Sequence, residues 1–363
     1  MFVGKIFYKN FRNFDTFDSA FGENANLIIA PNGSGKTNIL ESIQILSLGK
    51  SLRAINQIDL IQHGLNSAYI KADVKGNILD YQITKTDYGN RLTKTLIRNK
   101  KKVSSPIFTN IFISLWFSAE SMNVINASSS TKRDFLDDFI GSINKMYFDI
   151  LKKYKQVLHQ KHLLLTKNEV LDLKNYYYLN KLLIKYGTQI IQIRNSYVVK
   201  LKEKLSTNLL HRYFYTFNFH PNTEISEIFE EDIEAKLQMK IDLYKDRELA
   251  SRRCLVGPHK DTWDLSFSVK KDDEMHDLGI YASRGQKRIG VLNILISFLR
   301  IVEEETGQKP ILLLDDITSE LDQENIKIVE NMLNEEGTQS FLTTTSEKIF
   351  SKGFLKQSKV IKL

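Results

Sequence analysis

The stretch that decides the fold is a glycine-rich loop between an apolar run and a predicted helix. It follows Leu27-Ile28-Ile29 and reads Ala30-Pro31-Asn32-Gly33-Ser34-Gly35-Lys36-Thr37. Gly33 and Gly35 allow successive backbone N–H groups to point inward at phosphate oxygens. A helix that begins near Lys36 also presents its positive dipole end to those phosphates. The loop is therefore predicted to bind ATP, with the Lys36 ammonium on the β- and γ-phosphates and the Thr37 hydroxyl on Mg²⁺.

A second apolar strand, near the far end of the chain, ends in two carboxylates. It reads Ile311-Leu312-Leu313-Leu314-Asp315-Asp316. Carboxylates that follow such a strand emerge at the carboxyl edge of a parallel sheet, where ligands bind. Asp315 is predicted to hold Mg²⁺ through water, because Mg²⁺ keeps much of its hydration shell. Asp316 is predicted to be the catalytic residue that orients or deprotonates the attacking water.

A third motif, Ser283-Arg284-Gly285-Gln286, lies shortly before the acidic strand and resembles the signature motif of ABC-type ATPases. In that family the signature binds the ATP held by a second subunit, so the resemblance implies an ATP-dependent homodimer. Ser283 would donate to a γ-phosphate oxygen, and Gly285 would permit a close backbone approach. Ser319-Glu320-Leu321-Asp322 resembles the D-loop that crosses the dimer interface. Most ABC-type ATPases have Glu where this chain has Asp316, which indicates slow hydrolysis.

Composition narrows the class of protein. The chain has 363 residues, 42% of them apolar, which is enough for two domains or one large one, and its net charge of +8 favours an anionic partner without identifying it. Cys254 is the only cysteine, which excludes an intrachain disulfide and a multi-cysteine zinc site. The first ten residues lack the apolar core of a signal peptide. The most apolar stretch, Val291 to Val302, contains Arg300 and is shorter than the roughly 20 residues a membrane span needs. We therefore expect a cytoplasmic protein without a membrane partner.

The hydrophobic period divides the chain into three parts. Residues 1–126 are mostly strand-like, with one helix from Asn38 to Leu48, and residues 251–363 return to strands, with a helix from Gln286 and a final strand from Gln339 to Thr343. Residues 127–250 have helical spacing and predict two long amphipathic helices that form an antiparallel pair, from Leu136 to Leu158 and from Leu179 to Leu205. The prediction is an α/β fold: a P-loop ATPase lobe of the ABC type, formed by residues 1–126 and 251–363, with an inserted α-helical lobe at 127–250.

A more specific resemblance rests on short motifs spread along nearly the whole chain. Besides the loop, the signature, the acidic strand and the D-loop, they are Asn10-Phe11-Arg12-Asn13-Phe14, Leu40-Glu41-Ser42-Ile43, Gly49-Lys50-Ser51-Leu52-Arg53, Arg133-Asp134-Phe135-Leu136-Asp137 and Gly257-Pro258-His259-Lys260-Asp261. Together they resemble the RecF family of bacterial recombinational repair ATPases, which is related to the SMC proteins and shares an SMC-like head fold. The Gly-Pro-His-Lys sequence and the Gly-Lys-Ser-Leu-Arg turn distinguish this family from other ABC-type heads. Between about 140 and 250 only the helical pattern supports the assignment.

The resemblance implies a function and its partners. It implies an ATP-closed dimer on double-stranded DNA or at junctions of single- and double-stranded DNA, which cooperates with RecO and RecR in loading RecA at gaps and supports the SOS response. It also implies that Arg12 contacts ATP, that Asp322 belongs to the D-loop and that hydrolysis is a weak, switch-like activity. The implied cofactors are ATP and Mg²⁺.

Four departures from related patterns qualify this interpretation. Ala30 replaces the first glycine of the strict phosphate-loop pattern, which is a mild change if the backbone there does not need a positive φ. Asn126-Ala127-Ser128-Ser129 replaces a common Lys-Gly-x-Pro sequence. No clear glutamine loop occurs near Leu115 to Glu120, and Thr343-Thr344-Thr345 occupies the expected place of a switch histidine. The last two absences point away from transporter ATPases.

The candidates for DNA contact form a basic run that consists of Lys94, Arg98, Lys100, Lys101 and Lys102. Phosphate contacts from such residues make binding salt-dependent and largely independent of sequence. A solvated hairpin tip is an equally good interpretation of the run. His259, beside Pro258, is predicted to be a structural or interface residue.

Two other classes of function stay open at this point. The ATPase subunit of a membrane transporter predicts a glutamine loop, a switch histidine and a membrane partner. An SMC-type scaffold head predicts arms of hundreds of residues, whereas helices of some 30 to 40 residues would reach only roughly 45–60 Å. A compact helical lobe fits this chain better than a long arm.

Overall fold

The computed structural model describes residues 2–51, 53–54, 56–86, 92–109, 111–167, 172–206, 213–222, 230–270, 273–317 and 321–363. In these residues the strands are β1 (Val3–Phe11), β2 (Phe14–Ala20), β3 (Ala25–Ile29), β4 (Ser67–Val74), β5 (Asn77–Lys85), β6 (Leu92–Arg98), β7 (Lys101–Lys102), β8 (Ser114–Ser118), β9 (Phe214–His220), β10 (Thr262–Ser268), β11 (His276–Asp277), β12 (Ile311–Asp315), β13 (Ser340–Thr344) and β14 (Lys359–Lys362). The helices are α1 (Lys36–Leu48), α2 (Ser105–Thr109), α3 (Ser129–Ile143), α4 (Lys145–Thr166), α5 (Leu173–Ser206), α6 (Glu230–Ser251), α7 (Leu278–Tyr281), α8 (Arg284–Thr306), α9 (Gln323–Glu336) and α10 (Lys352–Gln357).

The chain divides into two compact units by its internal contacts. The first combines Met1–Met122 with Val302–Leu363, and the second is Asn123–Ile301. The boundaries predicted at 127 and 251 follow the change of hydrophobic period, whereas the two units are defined by their internal contacts. By this second criterion, residues 251–301, which include the signature motif, belong to the second unit. The predicted division into lobes stays a prediction.

A parallel sheet positions the functional loops of the first unit. Its strand order is β14-β3-β13-β12-β8, and every neighbouring pair in it is parallel. The inner strands β3, β13 and β12 are buried along nearly their whole length, because both faces of a parallel sheet are covered. The carboxyl ends of β3 and β12 therefore lie at one edge, although the loop after β3 and the carboxylates of β12 are far apart in sequence.

Helix α1 lies between this sheet and a six-stranded antiparallel sheet of order β2-β1-β4-β5-β6-β7. Ile39, Ile43 and Leu46 of α1 are fully buried in one core cluster that also contains Ile70 of β4 and Leu313 of β12. A helix packed on two sides is buried almost all round, and in α1 this burial includes the polar side chains of Glu41, Ser42, Gln44 and Ser47. The predicted helix from Asn38 to Leu48 is confirmed and begins two residues earlier, at Lys36.

The helical stretch of the second unit contains more elements than the sequence predicted. The predicted helix from Leu136 to Leu158 is wrong as a single element, because the chain breaks at Asn144. The Asn144 N–H bonds the carbonyl of Ile140 and ends α3, while its side-chain oxygen accepts from the N–H of Tyr147 and begins α4. Helices α4 and α5 do form the predicted antiparallel pair. Tyr147 of α4 contacts Arg194 near the end of α5, whereas Lys161 lies over the ring of Tyr176 near its start.

Two strands escaped the sequence analysis. Strand β9 lies inside the stretch predicted to be helical and pairs with β10 in the three-stranded antiparallel sheet β11-β10-β9 of the second unit. Strand β14 follows the predicted final strand and pairs with β3 at the edge of the parallel sheet. The predicted helix from Gln286 is confirmed as α8, which begins at Arg284. No helix in the described part of the chain is both long enough and apolar enough to cross a membrane.

Candidate nucleotide site

The phosphate loop has the conformation that its glycines predict. Gly33 and Gly35 have φ of 80° and 102°, and α1 begins directly after Gly35. Ala30 is not among the described residues with a positive φ, so the loop tolerates alanine there. The Lys36 ammonium donates to the carbonyls of Ala30 at 2.7 Å and Pro31 at 2.9 Å, so its side chain folds back along the loop. These partners are neutral, and a phosphate would attract the ammonium more strongly.

The two glycines differ in how closely they are packed. A Cβ atom on Gly35 would lie 2.6 Å from the ring of Phe14 and 2.7 Å from Oδ1 of Asn13, whereas Gly33 has open space around it. The Asn13 amide donates to the carbonyl of Ser34 at 3.2 Å, and its oxygen accepts from Asn38 at 2.8 Å. Asn13 therefore fixes the loop to the helix. In the sequence, Asn13 has no signal beyond its place in the Asn10–Phe14 motif.

Asp315 lies where the acidic strand meets the loop. Its Oδ1 accepts from the hydroxyl of Thr37 at 3.0 Å and from the hydroxyl of Thr343 at 2.8 Å. Burial raises the pKa of the Asp315 carboxyl above its ordinary value, and the hydrogen bonds from Thr343 and Thr37, together with the charge of Arg53, act in the opposite direction. Asp316 follows with φ of 50°, and its N–H donates to Thr343 at 2.8 Å. The two residues predicted to hold magnesium, Thr37 and Asp315, are thus in direct contact.

Loop and carboxylates line one open cavity of about 350 Å³. The lining residues are Asn13, Asn32, Gly33, Gly35, Lys36, Thr37, Asn38, Asp315 and Asp316. A hydroxyl and a carboxylate that share one bond offer the hard oxygen ligands that Mg²⁺ prefers, and Mg²⁺ commonly takes one or two protein ligands plus phosphate oxygens and water. The residues therefore fit a magnesium–nucleotide complex. In the described residues no group of three or more His, Cys, Asp or Glu side chains is arranged to hold a metal without such a ligand.

Arg12 is placed by a buried carboxylate. Its guanidinium makes two hydrogen bonds to Glu41 of α1, at 2.9 and 2.7 Å, and one to the carbonyl of Asp59 at 3.0 Å. Glu41 is fully buried and also accepts from the Ser51 hydroxyl at 2.6 Å and pairs with Arg53 at 3.7 Å. One glutamate thereby joins the opening strand, α1 and the turn after α1. Arg12 does not line the cavity, and its contact with ATP stays a prediction.

The signature motif forms the beginning of α8 in the second unit. The Ser283 hydroxyl accepts from the N–H of Gln286 at 3.3 Å, and the Gln286 side chain accepts from the N–H of Ser283 at 2.8 Å. This reciprocal capping starts the helix. Ser283 and Arg284 are exposed, as are the large apolar side chains of Ile280 and Tyr281 just before them.

The remaining predicted elements lie at the start of α9 and on β13. Ser319 and Glu320 of the predicted D-loop lie outside the described residues, while Asp322 caps α9 by accepting from the N–H of Asn325 at 2.8 Å. At the place expected for a switch histidine, Thr343 is buried and bonds the carboxylate of Asp315 and the backbone N–H of Asp316. From the sequence, Thr343 is notable only as a residue at the place of a missing histidine.

Two residues of the basic run bond neighbouring groups, and four of the five residues in the run are exposed. The Lys94 ammonium donates to the carbonyl of Gly49 at 3.1 Å, and burial lowers its pKa. Arg98 donates to the side chain of Asn77 at 2.9 and 3.2 Å. Lys100, Lys101 and Lys102 are exposed at the turn between β6 and β7. Lys94 is exposed as well, and all five DNA candidates stay predictions.

Two of the family-like motifs meet in the second unit around Arg194, which the sequence analysis missed. The buried guanidinium of Arg194 pairs with Asp137 and Asp261 and donates to the carbonyl of Pro258. Beside it, the Tyr154 hydroxyl bonds Nδ1 of His259 at 2.7 Å, and burial lowers the pKa of His259 to about 4. A long helix with a mostly polar surface gave no signal that one arginine in it would be buried.

Comparisons with known proteins identify the family of this chain. A family model described as the RecF/RecN/SMC N-terminal domain matches residues 2–362. The DNA replication and repair protein RecF of Caldanaerobacter subterraneus subsp. tengcongensis is 33% identical over 358 residues, which cover 96% of this chain and 95% of the relative. The protein of the same name from Clostridium botulinum (strain ATCC 19397 / Type A) is 32% identical over 355 residues, or 95% of this chain and 93% of the relative.

Solved structures extend the comparison to the fold. The recombination mediator protein RecF with ATPrS, described in the RecFOR pathway, matches with a TM-score of 0.84 and 30% identity over 100% of this chain and 96% of that chain. The Smc head domain with an extended coiled coil from Pyrococcus furiosus matches with a TM-score of 0.53 and 14% identity over 99% of this chain and 93% of that chain, which shows the fold alone. On the sequence matches and the ATP-site fold together, this chain belongs to the RecF family of SMC-like, ATP-binding DNA replication and repair proteins.

Proposed function

We propose that this protein is an ATP-dependent DNA-binding switch of recombinational repair and replication restart. ATP closes a homodimer on double-stranded DNA or at a junction of single- and double-stranded DNA, and hydrolysis opens it. The observation that carries the proposal is the hydrogen bond at 3.0 Å between the Thr37 hydroxyl and the Asp315 carboxylate, at the edge of one open cavity. Membership of the RecF family decides against the transporter alternative.

The chemistry at this cavity needs few protein groups. Bound Mg²⁺ would neutralise charge on the phosphates and would be held by Thr37 and Asp315. Lys36 would leave its loop carbonyls for the β- and γ-phosphates. Asp316 would orient the attacking water, and its short side chain accounts for the slow hydrolysis expected of a switch.

Dimerisation supplies the part of the site that a second copy holds. Ser283 and Arg284 are exposed at the start of a helix, where backbone N–H groups and the helix dipole favour an anion. We propose that they meet the γ-phosphate bound by a second copy. The exposed Ile280 and Tyr281 would then be covered by that copy, which accounts for two large apolar side chains at the surface.

The proposed partners follow from family membership. DNA phosphates would contact Lys100, Lys101 and Lys102 at the turn between β6 and β7, and the net charge of +8 supports an anionic partner. RecO and RecR are the proposed protein partners in loading RecA at gaps, with a contribution to the SOS response. The proposed place of action is the cytoplasm, where bacterial DNA lies.

The first experiment measures molecular mass in solution for the Asp316→Asn variant, with and without ATP and with and without a short gapped DNA. We expect a shift from monomer to dimer with ATP, because ATP would remain bound when the catalytic carboxylate is gone. The dimer should bind the DNA with an affinity that falls steeply as salt rises. A protein that stays monomeric with ATP and ignores the DNA would contradict the proposal.

Two further variants locate the two halves of the composite site. Asp316→Asn combined with Lys36→Met should lose nucleotide binding and the dimer together. Asp316→Asn combined with Ser283→Ala should bind ATP as the single variant does and stay monomeric. Normal ATP-dependent dimerisation of the Ser283→Ala variant would disprove the trans arrangement while leaving ATP binding intact.

A further inference from the structure

Thr343 is the one threonine hydroxyl in the described residues that bonds both carboxylate residues of the site. It lies on β13, between β12 and β3 in the parallel sheet, and is fully buried. Its hydroxyl donates to Oδ1 of Asp315 at 2.8 Å. The same oxygen accepts from the N–H of Asp316, also at 2.8 Å.

The two bonds fix the direction of the hydroxyl. A hydroxyl has one hydrogen to donate and two lone pairs to accept with, and a carboxylate only accepts. The hydrogen of Thr343 therefore points to Asp315, and a lone pair faces the N–H of Asp316. Any rotation of the hydroxyl would break at least one of the two bonds.

Each bond constrains a different property of the acidic turn. The bond to Asp315 selects the side-chain orientation that also brings Oδ1 to the Thr37 hydroxyl at 3.0 Å. The bond from Asp316 holds a backbone with φ of 50°, a conformation that non-glycine residues rarely adopt. The direction in which the Asp316 side chain leaves the backbone depends on that conformation.

We propose that Thr343 is the positioning residue of the acidic pair. Its hydroxyl sets the Asp315 carboxylate for magnesium and the Asp316 carboxylate for water at the same time. The inference rests on the proposed function, because it assigns roles to Asp315 and Asp316 that require bound nucleotide. It adds the physical link between the two, at the strand end where transporter ATPases have a switch histidine.

The chain supplies a matched control one residue further on. Thr344 is also buried on β13, but its hydroxyl bonds the carbonyl of Ser346 at 3.2 Å and the N–H of Ser346 at 3.3 Å. Thr344→Val therefore removes a buried hydroxyl from the same strand while leaving in place the two bonds that Thr343 makes to the acidic pair. Thr343→Val is nearly isosteric and removes the link, and Thr343→Ser keeps a hydroxyl that can restore it.

The test measures the affinity of a fluorescent ATP analogue in EDTA and then as a function of Mg²⁺ concentration. For Thr343→Val we expect wild-type affinity for the ATP analogue in EDTA. The Mg²⁺ concentration that gives half of the Mg²⁺-dependent gain in affinity should rise by about 10-fold, because a hydrogen bond to a charged group is removed. Steady-state hydrolysis should lose about 10-fold or more in kcat, with a smaller change in KM. Thr343→Ser should restore both quantities, and Thr344→Val should match the wild type in both.

The outcomes separate this inference from the proposed function. Wild-type Mg²⁺ dependence in Thr343→Val, an equal loss in Thr344→Val, or failure of Thr343→Ser to restore binding would each overturn the positioning role. A wild-type protein that binds no ATP would overturn the proposed function instead. If Thr343→Val does not fold, Thr343→Cys replaces it with the same expected loss, because a thiol is only a weak donor and acceptor.

Discussion

Two buried lysines show how differently the two units use charge. Lys36 in the first unit bonds only carbonyl oxygens of its own loop, beside an open cavity. Lys161 in the second unit pairs with the buried carboxylate of Glu248 and lies over the ring of Tyr176. A phosphate can replace the neutral partners of Lys36. Lys161 already has a charged partner in Glu248, so its charge is satisfied without a ligand.

The same contrast holds for the motifs around these lysines. The loop and the acidic pair leave oxygens and N–H groups facing a cavity, so a ligand can complete them. The motifs around Arg194 are instead joined through its side chain. Asp137, Asp261 and the carbonyl of Pro258 all accept hydrogen bonds from one guanidinium. Residues of both regions belong to motifs that resemble those of the family. The difference teaches that a motif can mark either a ligand site or an internal support.

The largest expected effect breaks the internal support. Arg194→Met leaves the carboxylates of Asp137 and Asp261 buried without their main partner, which should cost about 3–5 kcal/mol of unfolding free energy. Chemical denaturation followed by the fluorescence of Trp263, which lies in the same unit, would measure the loss in a Trp116→Phe background. Lys155→Met is the control. It removes an exposed pair with Asp134 and should cost about 0–1 kcal/mol.

The second effect tests the same support through pH. Burial lowers the pKa of His259 to about 4, so the folded state keeps this ring neutral. Above about pH 6.5 the His259 ring is neutral in both the folded and the unfolded state. As the pH falls from about 6.5 towards 4, the unfolded state binds a proton first, and the free energy of unfolding decreases by at most about 3 kcal/mol. The His259→Gln variant should have a flatter dependence of stability on pH over that range. His159→Gln changes an exposed histidine of α4 and should keep the wild-type slope; equal slopes in all three proteins would contradict the assignment.

The third effect is confined to the ligand site. Lys36→Met should weaken ATP binding by at least about 100-fold, which corresponds to about 2.7 kcal/mol, because the phosphates lose their charged partner. The midpoint of thermal unfolding without nucleotide should change little, since the bonds that disappear are to loop carbonyls. Titration with a fluorescent ATP analogue measures the affinity, and Lys71→Met, an exposed lysine of β4, is the control. A large loss of stability in Lys36→Met would mean that Lys36 is a support like Lys161.

A smaller effect separates strain from collision within the loop. Gly33→Ala and Gly35→Ala both place a Cβ on a backbone with positive φ. This conformation costs each variant about 1–2 kcal/mol of conformational free energy in the loop. Only Gly35→Ala also forces Phe14 and Asn13 to move. We therefore expect Gly35→Ala to weaken ATP binding about 10-fold more than Gly33→Ala, measured by the same titration. Equal losses would mean that the collision with Phe14 is easily relieved.

The smallest effect concerns the surface. Replacing Lys100, Lys101 and Lys102 by Gln should lower the slope of log affinity against log salt by about 0.9 for each DNA phosphate that the variant no longer neutralises. Fluorescence anisotropy of a labelled duplex at several salt concentrations measures the slope. Lys71→Gln is the control and should keep the wild-type slope, because Lys71 is an exposed lysine of β4 outside the basic run. An unchanged slope in the triple variant would place the DNA-binding surface elsewhere.

Prediction from the sequence succeeded where a local signal was strong. Glycines at 33 and 35 after an apolar strand predicted the loop and α1, and the apolar run before Asp315 predicted β12. It failed at Asn144, because one polar residue within a helical period gives no sign that it will both end α3 and begin α4. It also failed at β14, whose four residues carry too little pattern to be distinguished from a tail.

The sequence by itself determined the ligand class, the order of the functional elements and the family, because phosphate loops and acidic strand ends depend on residues adjacent in the chain. Only the tertiary structure decided which polar residues face a cavity and which face each other. Thr37 and Asp315 come together because parallel strands align their carboxyl ends, and Thr343 joins them from a third strand. Such pairings depend on the register between strands that are distant in sequence, and no local pattern specifies that register.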